Sequence, residues 1–143
     1  MIVKCLDNTG INLPTQLFSH YGWSKEMEFP EVTVGEKYVV YAILYVENHP
    51  FFMVCGDDYD GEYLNYPNLL PSSLFEIIDS TKSKFWLTKT KGNLNFKSSK
   101  NKDVGFKELL KDEYFYGKLV EGYENEVKIF SSIKKQIDEE NLL

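Results

Sequence analysis

The chain has 143 residues, a formal net charge of −6 and 43% hydrophobic residues, which suits one packed domain and excludes a disordered chain. All 16 basic residues are Lys, and Arg is the usual fork for phosphate and guanine, so specific nucleic-acid recognition has little composition behind it. The acidity is uneven: residues 1–80 hold 3 Lys against 12 Asp or Glu, whereas residues 81–143 hold 13 Lys against 10. Aromatic residues make up 15% of the chain, a load that fits pleated, half-buried surfaces and leans toward β structure.

In chain order, Ile2 to Leu6 reads as a first strand, and Asp7-Asn8-Thr9-Gly10 supplies turn chemistry. Nothing at Met1–Cys5 has the apolar length of a signal peptide, and no run is long enough to span a bilayer. Residues 11–33 read as an irregular insertion with a short helical turn at Thr15–Tyr21, broken by Pro14, Gly22 and Pro30. Lys37 to Glu47 is the clearest strand. From Tyr38 to Val46 every side chain is apolar or Tyr, so both of its faces should be covered. Asn48-His49-Pro50 is expected to turn it back into Phe51–Cys55.

An acidic stretch bounded by glycines, Gly56 to Glu62, follows as a loop. Tyr63–Asn68 reads as extended, and Leu74–Asp79 as another strand. Ser83–Lys89 and Asn93–Lys97 suggest a second hairpin turned by Lys91-Gly92-Asn93. Beyond Lys102 the period lengthens. Phe106, Leu109, Leu110 and Leu119 fit a helical stripe with a doubtful middle at Glu113–Gly117. Val127, Phe130, Ile133 and Ile137 give an amphipathic helix over 125–139. With no linker between the parts, residues 1–143 read as a single domain.

The order of pieces from Val3 to Asp79 resembles a group of small bacterial and phage proteins with an SH3-like β-barrel. The resemblance rests on Val3–Gly10, on Val34-Gly35-Glu36-Lys37-Tyr38-Val39-Val40, on Asp57-Asp58, on Tyr66-Pro67 and on Leu74–Ile78. It covers about half of the chain and implies a fold without an activity. The expected architecture is therefore α+β: a small, strongly bent antiparallel sheet, SH3-like, followed by two C-terminal helices.

Candidate sites come from residue chemistry. Asp57, Asp58, Tyr59, Asp60, Glu62, Tyr63 and Tyr66 interleave carboxylates with rings, a surface suited to a basic protein partner. As a calcium loop the stretch fails, because with Gly61 as the loop glycine the first and last ligand positions fall on Gly56 and Pro67. Segment 82–102 carries seven Lys and no acid. Lys84, Trp86, Lys89, Lys91, Phe96 and Lys97 could bind single-stranded nucleic acid, or simply blunt a sheet edge. Cys5 and Cys55 lie in apolar runs, where a thiolate is suppressed, so a Cys–His nucleophile with His20 has no support. His49 reads as an exposed turn residue. No zinc spacing, phosphate loop or serine nucleophile motif occurs, so no catalytic residue, metal or cofactor is expected.

The leading expectation is a non-enzymatic cytoplasmic binding protein with a protein partner. A toxin-neutralising, immunity-type protein that meets a basic toxin, or a phage–host interaction protein, would have this chemistry. A nucleic-acid-associated module using 82–102, and an enzyme with an unrecognised site, stand as alternatives. A homodimer would be one way to cover the outer face of the strand at 38–46.

Overall fold

The computed structural model describes residues 1–90 and 102–142. Among the described residues, seven strands form one antiparallel sheet: β1 (Ile2–Cys5), β2 (Lys37–Val46), β3 (His49–Val54), β4 (Asn68–Pro71), β5 (Phe75–Asp79), β6 (Trp86–Thr90) and β7 (Lys102–Phe106). The main path runs β4-β3-β2-β1-β5. At ten residues, β2 is long enough for one edge to serve two neighbours. Its start pairs with β1 (Ile2 opposite Val39), and its end pairs with β7 (Ile43 opposite Val104). β6 then lines the outside of β7, with Trp86 opposite Phe106.

The β2–β3 turn is tighter than Asn48-His49-Pro50 suggests. Glu47 and Asn48 both take positive φ (49° and 64°), the backbone of a two-residue type I′ turn. His49 and Pro50 therefore belong to β3. Pro50 is tolerated there because it and Tyr45 form a non-hydrogen-bonded pair, in which the Tyr45 N–H faces away from β3 to the Asp103 carboxylate at 2.9 Å and no Pro50 N–H is called for.

Two expectations fail. The sheet does not close: β4 and β5 are joined by a 3₁₀ turn at Ser72–Leu74 but do not pair with each other among the described residues. A groove of ≈ 280 Å³ remains between Ile77 of β5 and Ile43, Tyr45, Pro50 and Phe52 of the β2–β3 hairpin. The SH3-like barrel is therefore overturned. The second half of β2, which a small barrel would turn inward, is instead extended outward by β7 and β6. Three helices, not two, follow the last strand: α2 (Lys107–Lys111), α3 (Phe115–Val120) and α4 (Glu124–Glu140), preceded in chain order by α1 (Thr15–Tyr21). The break between α2 and α3 is made by Asp112. It takes an extended backbone and accepts the Tyr114 N–H on its carboxylate and the Phe115 N–H on its carbonyl. The expected second hairpin is half right: β6 is one arm, but its partner is β7, and Asn93–Lys97 lies outside the described residues.

The insertion is more ordered than its broken sequence implies. Gly22 caps α1 at φ 67°. Gly10 passes so close to the Ser24 carbonyl that any side chain there would collide with it. Tyr21 stacks on Trp23 at 4.3 Å, Trp23 meets Phe29 edge-on at 5.4 Å, and Phe51 of β3 lies beside both. This ring stack pins the insertion to the β2–β3 hairpin.

Three successive β2 residues, Val40, Tyr41 and Ala42, are buried, whereas Val39 and Ile43 to Val46 are only partly so: both faces are covered at the middle of the strand and not along its whole length. The helical end supplies cover. Phe130 of α4 meets Tyr41 at 5.6 Å and Phe106 at 6.3 Å, and Phe106 meets Phe115 of α3 at 5.6 Å. Gly105 is required where β7 crosses Ala42: an added Cβ would lie 3.0 Å from that of Ala42 and 3.2 Å from Leu109 of α2.

Candidate functional site

The acidic loop, residues 56–67, leaves β3 and returns to β4. Its seven candidate residues divide into those that hold the loop and those that face solvent. Asp57 holds: its carboxylate accepts the Thr33 hydroxyl at 2.6 Å and the Tyr38 hydroxyl at 2.8 Å, and its N–H donates to the Glu31 carbonyl. Burial and this carboxylate push the Tyr38 phenol up to about 12. Gly56 has no room for a side chain, because the Glu31 carbonyl and the Asn68 amide would each lie 2.7 Å from it.

Asp60 holds the tip. One carboxylate oxygen accepts the N–H groups of Glu62 and Tyr63 at 2.8 Å and of Leu64 at 3.2 Å. These donors, that of Glu62 first, keep its carboxyl below the ordinary range. Asp60 and Gly61 donate in turn to the Leu64 carbonyl, and Gly61 takes φ 82°. A carboxylate that organises its own loop by accepting neighbouring N–H groups is an Asx-type device and needs no cation.

Tyr59 and Tyr66 are partly buried. Tyr59 meets Phe130 at 6.3 Å, and Lys134 sits 5.3 Å over its ring. Tyr66 packs on the core beside Tyr116, whose hydroxyl donates to the Pro67 carbonyl. That leaves Asp58, Glu62 and Tyr63 presented outward. Tyr63 is 91% exposed, an unusual setting for so large a ring.

In the Lys-rich segment, Trp86 is buried and donates its Nε1–H to the Tyr41 carbonyl at 2.8 Å, so its ring is part of the core. Lys89 donates to the Leu110 carbonyl at the end of α2. Lys84 is exposed and lies 5.3 Å over the Phe85 ring. Lys91, Phe96 and Lys97 lie outside the described residues.

A group of polar side chains that sequence reading did not bring together lies where α4 meets the sheet. The Tyr41 hydroxyl donates to Asp138 Oδ1 at 2.5 Å, and Lys134 donates to Asp138 Oδ2 at 2.6 Å. Burial works against the charge of Lys134, but Asp138 outweighs it and raises the pKa. Cys55 sits beside these groups, and burial pushes its thiol up to about 12. Burial raises the Cys5 thiol as well. Both cysteines are free. The only sequence signal for this group was the i, i+4 spacing of Lys134 and Asp138, which is common on any exposed helix face.

His20 lies 3.3 Å from the Glu47 carboxylate and edge-on to Tyr21, away from both cysteines in sequence. Among the described residues, no three His, Cys, Asp or Glu side chains are placed to hold a metal ion, and no helix is long and apolar enough to cross a membrane. Comparison with family models, curated proteins and solved structures finds no match, which likewise leaves the SH3-like resemblance without support.

Proposed function

We propose that the chain is a non-enzymatic binding protein of the cytoplasm whose partner is a protein with a basic surface, engaged at the loop tip formed by Asp58, Glu62 and Tyr63. One observation carries the reading: Tyr63, 91% exposed, stands on a loop that the Asp60 carboxylate has already ordered. An aromatic anchor on a pre-formed loop costs little entropy on association. The flanking carboxylates steer a basic partner, as a toxin-neutralising or phage–host interaction protein would require. The two free thiols suit a reducing compartment.

The reading is tested with a photo-crosslinking amino acid placed at position 63 in host cells, followed by titration of the captured basic protein against variants. Tyr63→Ala is expected to cost about 2 kcal/mol of binding, roughly thirtyfold. Asp58→Lys with Glu62→Lys is expected to slow association and weaken its salt dependence. Unchanged affinity in both variants would sink the reading.

A further inference from the structure

The two ends of the main path differ. β4 is four residues long, ends on Pro71, and is preceded by Pro67, whose carbonyl accepts the Tyr116 hydroxyl. Short length and proline are ordinary protections of a sheet edge. β5, at the other end, pairs only with β1 among the described residues, and Glu76, Ile77, Ile78 and Asp79 are all exposed.

The peptide groups on that edge can be followed from β1. Cys5 donates to the Glu36 carbonyl and accepts from the Gly35 N–H, so its peptide groups face β2. By alternation Lys4 faces β5, where its partner is Glu76. The Phe75 N–H is held by the Ser72 carbonyl in the 3₁₀ turn, which leaves the Phe75 C=O and the Ile77 N–H and C=O pointing away from the sheet. A register shift between Ile2 and Val3 interrupts the ladder beyond Ile77, so the regular edge is short.

Ile77 is 50% exposed and forms one lip of the ≈ 280 Å³ groove, opposite Ile43, Tyr45, Pro50 and Phe52 with Phe75 between. Ile78, 46% exposed, lies outside the groove. A helix laid in the groove would leave the outward peptide groups and Ile78 uncovered. An added strand pairs those groups and places side chains beside both isoleucines. Glu76, and Asp79 with one carboxylate oxygen held by the Thr81 N–H at 2.9 Å, punctuate the edge, in the half of the chain whose net charge is −9, so a second copy adds like charge while a basic segment adds the opposite one.

We propose that β5 and its groove take an extended segment of a basic protein partner, with a large apolar side chain entering beside Ile77 and Lys or Arg side chains meeting Glu76 and Asp79. This rests on the reading that the partner is basic, but uses a surface separate from the Tyr63 tip.

The probe is a seven-residue, end-blocked peptide in which lysine alternates with valine around a central leucine, titrated into the ¹⁵N-labelled full chain. The expected result is saturable shifts of the Phe75–Asp79 amides, slowed hydrogen exchange at Ile77, and at least about tenfold weaker binding to Ile77→Lys. The same peptide with an N-methylated backbone should not bind. Ile77 is at an exposed edge, so the variant's spectrum should otherwise match the parent. Shifts confined to Asp58–Leu64 would overturn the strand proposal and leave the Tyr63 tip standing. The absence of shifts at β5 would overturn it too, as would a concentration-dependent dimer that Ile77→Lys abolishes, which would give the edge to a second copy. Tyr63→Ala should leave the β5 shifts unchanged, so failure of one reading is distinguishable from failure of the other.

Discussion

The acidic loop and the Lys-bearing strand β6 both stand out in the sequence as charge interleaved with rings, and the fold treats them differently. In β6, Trp86 is taken into the core and Lys89 closes the end of α2, so two of the candidate ligand-binding groups serve packing and capping. In the loop, Asp57 and Asp60 are also used internally, but their use orders a tip that still presents Asp58, Glu62 and Tyr63. A charged or aromatic residue identifies itself as functional only after its internal bonds have been accounted for. The same density of charge yields a strand tied into the core in one place and a hydrogen-bonded loop with a solvent-facing tip in the other.

Substitutions ordered by expected effect on stability sharpen that contrast. Trp86→Ala should cost about 3–5 kcal/mol, since it opens a core cavity and strands the Tyr41 carbonyl. Urea unfolding read by circular dichroism checks it, and a loss below about 1 kcal/mol would return Trp86 to the surface. Tyr41→Phe should cost about 1.5–3 kcal/mol, because it removes a hydrogen bond to the Asp138 carboxylate at the seat of α4. Cys55 offers a companion test: with its thiol held up to about 12, a disulfide reagent at pH 8 should label it only as the chain unfolds.

Asp60→Ala should leave global unfolding nearly unchanged and raise hydrogen exchange at Glu62, Tyr63 and Leu64. The pH dependence has a definite sign. The Asp60 carboxyl is depressed in the folded chain, so its contribution is present above the ordinary Asp pKa and is lost as pH falls through the lowered folded value. The loop amides should therefore stay protected through the pH range where an ordinary Asp protonates, and loosen only below it. The smallest effect on stability belongs to Tyr63→Ala, within about 0.5 kcal/mol, because its ring makes almost no buried contact. A stable fold with weakened partner binding would separate presentation from support within one loop.

Local chemistry was legible where it was strong. The apolar run at 38–46 became β2, the Val127–Ile137 stripe became α4 within a residue of its expected ends, and the doubtful stretch near Glu113 marked a true helix break. Thr15–Tyr21 formed the one helical turn that its flanking Pro14 and Gly22 allowed. The short motifs behind the SH3-like resemblance misled about the fold, because closure of a sheet depends on which edge of β2 a distant strand occupies, and no short motif records that.

By itself, then, the sequence determined the kinds of elements, the strand at β2, the suppressed thiols and the acidic loop, because periodicity, turn residues and composition act over a few neighbours. Only the tertiary structure decided that β7 claims the end of β2, that three helices cover the sheet, and that Tyr41, Cys55, Lys134 and Asp138 meet. It also decided which acids of the loop are spent on hydrogen bonds and which are left facing solvent. Those outcomes follow from contacts between residues far apart in the chain, whose energies no local pattern records.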